Sequence, residues 1–128
     1  MKKLITFIAA AMALVSFNTK PNASTGDIVN ALKQADATAI ANYFDSFIDI
    51  KLPNKDEVKN LSKMQASIAL RDFYSEQKIT GFELTSQREM SGTGYLTGKL
   101  KSNKQDYNIT VMVKIKGDNA TIVSIRIN

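Results

Sequence analysis

From Ile79 onward the chain runs through four stretches that alternate apolar and polar residues, separated by only three short polar turns. Ile79 to Arg88 is the first, closed by Ser91-Gly92-Thr93-Gly94; Tyr95 to Lys101 is the second, closed by Ser102-Asn103-Lys104-Gln105. In Tyr107 to Lys116, Ile109, Val111, Val113 and Ile115 alternate with Asn108, Thr110, Met112 and Lys114. Gly117-Asp118-Asn119 then leads into Ala120 to Ile127, where Val123, Ile125 and Ile127 share a face. A period of two sends successive side chains to opposite faces of a strand. Connections this short join neighbours in antiparallel order. The pattern predicts an antiparallel meander with one apolar face, and another layer must cover that face.

The cover lies upstream. With Thr25 or Asp27 as N-cap, Ile28, Ala31, Leu32 and Ala35 fall at i, i+3, i+4 and i+7 and form one helical stripe. Asp36 caps a second short helix in which Ile40, Tyr43, Phe44 and Phe47 repeat that spacing. Phe47 to Leu52 then alternates, with Ile48, Ile50 and Leu52 on one side, until Pro53 and Asn54 end it. Asn54 to Asn60 is polar and predicts a loop. Ser62-Lys63-Met64-Gln65 matches a capping box. It opens a helix to Gln77 with Ala66, Ala69, Leu70 and Phe73 on its buried stripe and Met64 and Ile68 widening it. The order is α-α-β-α-β-β-β-β, an α+β fold in which a cone-shaped, curved antiparallel sheet packs on three helices.

The 128 residues hold one domain, and 44% hydrophobic content is enough for its core. Ahead of it, Lys2 and Lys3 precede an apolar run from Leu4 to Phe17. That run is shorter than the roughly 20 residues a spanning helix takes and suits a signal peptide, which with the start of a spacer takes up residues 1–20. Thr19 to Gly26 is a polar spacer, and the domain occupies 26–128. The expected destination is the periplasm or the exterior, with membrane contact only through the signal segment. The chain has no cysteine, so it carries no disulfide framework and no lipoprotein anchor. The net charge of +5 falls to +3 once Lys2 and Lys3 are removed. Lys99, Lys101, Lys104, Lys114 and Lys116 are spread along strands near turns, a pattern that protects sheet edges rather than one that grips nucleic acid.

Histidine is absent as well, which removes the commonest general base and metal ligand near neutral pH. Thiol nucleophiles, structural zinc and serine–histidine triads are excluded with it, and no residue is assigned a catalytic, metal or cofactor role. Gly92 and Gly94 flank a hairpin turn with no following helix, so they form no phosphate cradle. The carboxylates Asp45, Asp49, Asp56 and Glu57 are more simply read as solvated groups near turns. The aromatics Tyr43, Phe47, Phe73, Phe82, Tyr95 and Tyr107 are the candidates to line a pocket. Arg71, Asp72 and Arg126 are the polar candidates, because each interrupts an apolar stretch and a buried arginine would need an anionic partner.

Several short segments narrow the reading further: Gly26-Asp27-Ile28, Ala41-Asn42-Tyr43-Phe44-Asp45, Ser62-Lys63-Met64-Gln65-Ala66, Asp72-Phe73-Tyr74, Tyr95-Leu96-Thr97-Gly98-Lys99-Leu100 and Ile125-Arg126-Ile127. In this order they resemble the domain of unknown function 4783 family of small exported Bacteroidetes-type proteins. That family is similar to the nuclear transport factor 2-like, cystatin-like cone superfamily. The resemblance covers roughly residues 26 to 127 and departs from the family pattern at Ser86 and Asn108. It implies the cone fold and export, and brings no reaction with it. The expected function is non-enzymatic binding of a small apolar or amphipathic ligand or of an envelope protein. One alternative is a pocket isomerase or hydrolase using Asp45 or Asp72 with a tyrosine, and another is a structural accessory of an envelope assembly. A weak homodimer through an outer sheet face bearing Thr97, Lys99, Thr110, Met112, Lys114 and Ser124 is a further expectation.

Overall fold

The structure is a computed structural model that describes residues 23–128, so the expected signal segment lies outside the described residues. Ser24 caps helix α1 (Thr25–Lys33). Its hydroxyl accepts from Asp27 N while the Asp27 carboxylate accepts from Ser24 N, a closed capping box one residue upstream of the expected cap. Asp36 caps α2 (Ala37–Ala41) by accepting from Thr38 N and Ala39 N. That helix is shorter than its apolar spacing predicts. The aromatic and β-branched run after Asn42 goes into strand β1 (Phe44–Lys51) instead. Phe44 therefore points with Ile48 and Ile50 into the core, whereas Phe47, at odd spacing from them, is 62% exposed on the other face.

The expected loop before the third helix contains a strand, β2 (Val58–Ser62), antiparallel to β1. Asn60 adopts left-handed backbone at φ +58°, and Asp49 Oδ1 accepts from its amide at 2.9 Å. The register against β1 slips at this point. Ser62 ends the strand and at once caps α3 (Lys63–Gln77), with Gln65 closing the predicted box. In α3, Ala66, Leu70, Phe73 and Tyr74 are buried. Met64 and Ile68 point away from the core, 73% and 44% exposed, and do not widen the stripe.

The meander follows as β3 (Ile79–Met90), β4 (Thr93–Ser102), β5 (Tyr107–Lys116) and β6 (Asn119–Ile127). The six strands lie in the order β2-β1-β6-β5-β4-β3. The sheet is curved, and every pairing is antiparallel except β1 with β6, which is parallel. That exception follows from connectivity. β1 enters beside the last strand, and the whole of α3 and the meander separates the two, as a parallel crossover requires. A register slip between Met112 and Val113 sets Val123 out of line. Ala120 and Ile122 share the inner face with Ile125 and Ile127, and Val123 does not. The helices line the inner face, α1 beneath β3, α3 beneath β1 and β2, and α2 between them. Leu96, Leu100, Ile109, Val111, Ile122, Ile125 and Ile127 meet Ile28, Leu32, Ile40 and Leu70 there, all at most 1% exposed. Each such side chain contributes about 1.5–3 kcal/mol by leaving water.

Candidate functional site

Among the clefts outside this packed interior, two gather the sequence candidates. The first, of about 410 Å³, opens at the end where the C-terminal half of α3 meets the β1–β2 connection and the β4–β5 turn. Pro53 and the left-handed Asn54 turn the chain away from β1, while α3 continues past it. Ala69 is the small residue on the facing side of α3, and Phe73 follows at i+4. The floor is Phe73 set edge-on to Tyr107, ring centroids 5.3 Å apart. The Tyr107 hydroxyl donates to Gln77 Oε1 at 2.7 Å, which fixes the amide and turns its Nε2 donors elsewhere. Asp72, Glu76, Lys55 and Gln105 stand around the rim.

Next to Phe73, Tyr74 turns inward. It is 6% exposed, touches the Phe73 ring edge-on at 6.4 Å between centroids, and its hydroxyl has no hydrogen-bond partner. Burial strips its phenolate of solvent and raises its pKa well above the usual tyrosine value.

The second cleft, also about 410 Å³, lies on the sheet face turned away from the helices and is lined by Ser86, Arg88 and Met90 of β3, Tyr95 and Thr97 of β4 and Thr110 of β5. The register builds it. Ser86 opposes Thr97, Arg88 opposes Tyr95, and Thr97 opposes Thr110, so these side chains share one face. Met112 and Ser124 are paired on the same face, where Ser124 is buried.

The sequence candidates divide among several places. Phe73, Tyr107 and Asp72 come together in the end cleft, and Tyr95 lies in the outer-face cleft. Tyr43 and Phe82 are half-buried against the core, and Phe47 is exposed on β1. Phe82 lies over Gly98. Arg71 is exposed on α3. Arg126 faces outward from β6 and donates to Glu57 Oε2 at 3.2 Å. Asp45 accepts from the Ser46 amide at 2.7 Å and Asp49 from Asn60. Among the described residues no carboxylate is buried, and no three His, Cys, Asp or Glu side chains cluster as metal ligands do. The amides Gln77, Gln105 and Asn54 in the end cleft were missed. Only the i+4 spacing of Gln77 from Phe73 hinted at them, because their meeting with Tyr107 spans thirty residues of chain.

Among solved structures, a DUF4783 family protein from Bacteroides ovatus superposes with a TM-score of 0.72 at 19% identity, covering 79% of this chain and 90% of that one. One from Bacteroides uniformis gives 0.73 at 19%, covering 81% and 94%. An NTF2-like protein of unknown function from Cytophaga hutchinsonii gives 0.58 at 9%, covering 87% and 93%. No curated protein matches the sequence. The family described as Domain of unknown function (DUF4783) matches residues 25–128, in line with the resemblance of the short segments above. A match over the whole described domain, joined to this fold, places the chain: it belongs to the DUF4783 family.

Proposed function

We propose that the protein is an exported, non-enzymatic binding protein that holds a small amphipathic ligand in the end cleft. The observation that carries this reading is the cleft's division of labour. An apolar wall of Leu52, Pro53, Ala69, Phe73 and Tyr107 faces a rim of two carboxylates, Lys55 and amides, in the volume range of small-molecule sites. The wall takes the ligand's apolar body. Gln77, held by Tyr107, offers oriented donors, and Asp72 and Glu76 favour a ligand end that donates hydrogen bonds or carries positive charge. An acid–base enzyme draws on a carboxylate removed from water. The exposure of Asp72 and the local turn contact of Asp45 favour binding over catalysis. Export rests on the N-terminal sequence alone.

Native mass spectrometry of the protein released gently from its own cells tests the reading. The wild-type protein should carry a bound small molecule, and Ala69→Phe, which fills the cleft from the half-buried side of α3, should lose it. An added mass that survives Ala69→Phe, or a wild-type protein bare of any ligand, would sink the proposal.

A further inference from the structure

The outer face of the sheet is unevenly charged. Across β3 to β6 it carries Arg88, Lys99, Lys101, Lys114, Lys116 and Arg126, with Glu83 the acid among them. Glu57 occupies Arg126, and Lys101 is taken by Asp106 at 3.0 Å and Glu83 at 3.8 Å. The carboxylate contacts raise the Lys101 pKa, with the hydrogen bond to Asp106 the largest cause. Arg88, Lys99, Lys114 and Lys116 make no ion pair among the described residues. Arg88 lies within the outer-face cleft. Lys114 opposes Thr93 at one end of that cleft, and Lys99, two residues beyond Thr97, stands at the other. Six residues of strand separate Thr93 from Lys99, or about 20 Å. Between these cations Ser86, Tyr95, Thr97 and Thr110 bring hydroxyls around one cleft, with Met90 and Met112 as the apolar side chains beside them.

We propose that this face is a binding site for a carboxylated glycan. Charge complementarity names an anion, and the flat guanidinium fork of Arg88 matches a carboxylate with two parallel hydrogen bonds. The neighbouring hydroxyls both donate and accept, as sugar hydroxyls require. The Tyr95 ring supplies an apolar plane beside them. Cations spaced along the strands suit a chain of acidic sugars rather than a lone acid. A second copy of the chain fits poorly, because pairing two such faces sets cation against cation. Single-stranded nucleic acid stacks its bases on several aromatics, and this cleft has Tyr95 alone.

Titration calorimetry of the purified protein with oligogalacturonate at low ionic strength tests the site. Saturable binding is expected, and the exposed substitution Arg88→Ser should weaken it about tenfold, the loss of one charge-assisted pair. Thr110→Val should weaken it about threefold, the loss of one neutral hydrogen bond. Neutral dextran should not bind, and Ala69→Phe in the end cleft should leave the glycan affinity unchanged. Absence of binding, or an Arg88→Ser protein that binds as well as wild type, overturns the proposal. So does equal affinity for duplex DNA or for anionic phospholipid vesicles, which reduces the face to a general polyanion or membrane contact. A dimer in light scattering that Arg88→Glu dissociates would also overturn it, by giving the face to a second copy.

Discussion

Gly98 sits in the middle of β4, opposite Leu84, where β3 slips register between Leu84 and Ser86. A methyl group added there would collide with the Glu83 carbonyl oxygen and lie 2.6 and 2.7 Å from Cε1 and Cζ of Phe82. Carbon atoms rest at about 3.5–4.0 Å, so the ring must retreat by about 1 Å. The ring has room to turn, being half-buried, but the carbonyl belongs to backbone paired with Lys99. Overpacking costs about 1–3 kcal/mol, and the rigid partner puts Gly98→Ala at the upper end. At about 4 °C per kcal/mol for a domain of this size, the melting midpoint should fall by about 12 °C. Gly94 is the control. Its added methyl meets only side chains closely, Val113 Cγ2 at 2.8 Å and Ile115 Cδ1 at 3.3 Å. Circular-dichroism melts of both alanine variants, alone and combined with Phe82→Ala or Val113→Ala, separate the two situations. Val113→Ala should relieve Gly94→Ala, whereas Phe82→Ala should leave Gly98→Ala nearly as damaged. A Gly98→Ala midpoint within about 2 °C of wild type, or full relief by Phe82→Ala, would refute the backbone clash as its cause.

Two other perturbations test the helical layer. Tyr74→Phe removes a buried hydroxyl without a partner and should raise stability by about 1 kcal/mol in urea denaturation. Because burial raises the folded-state pKa, the unfolded chain gives up this proton first. The stability tied to it is intact below the unfolded pKa of about 10 and is lost as pH rises above that value. The variant should therefore decline less steeply than wild type in the alkaline range, and a parallel decline would show that Tyr74 is hydrated. Ser62→Ala opens the capping box of α3 and should cost about 1 kcal/mol in the same assay. No loss would mean that packing alone fixes the start of this helix.

Much of the fold was legible because the meander writes its period into the sequence. Ile109, Val111 and Val113 alternate cleanly, and the outer face named from sequence, Thr97, Lys99, Thr110, Met112, Lys114 and Ser124, is the face the register assembles. β2 was illegible for a physical reason. It is a short edge strand with no fully buried residue, and the left-handed Asn60 breaks its alternation. Phe44 and Phe47 were misplaced because apolar residues three or four apart satisfy a helix as well as the two faces of a strand. Here tertiary pairing to β6 decided, through the Tyr43 carbonyl that accepts from Ile122 N at 2.7 Å. The clefts were harder still. Tyr107 was a candidate for its ring, but its meeting with Gln77 depends on how α3 crosses the sheet.

That crossing also explains why both proposed sites are shallow. Three helices, one of only five residues, must cover a six-stranded sheet, and they do so by meeting it with large aliphatic side chains. Space between the layers is taken by Leu32, Ile40, Leu70 and Leu100, each fully buried. Clefts open where this packing ends. At the C-terminal half of α3 the inner layer gives way to Ala69 and to the Phe73–Tyr107 pair, and the end cleft forms. On the outer face no helix of the described residues lies against the sheet, so the strands themselves present Arg88 and the hydroxyls. Enlarging the interior would sacrifice aliphatic contacts worth about 2–5 kcal/mol for each leucine reduced to alanine. The exposed rim of the end cleft and the exposed positions of the outer face can change without that loss, because substitutions at exposed positions change stability by only about 0.5 kcal/mol.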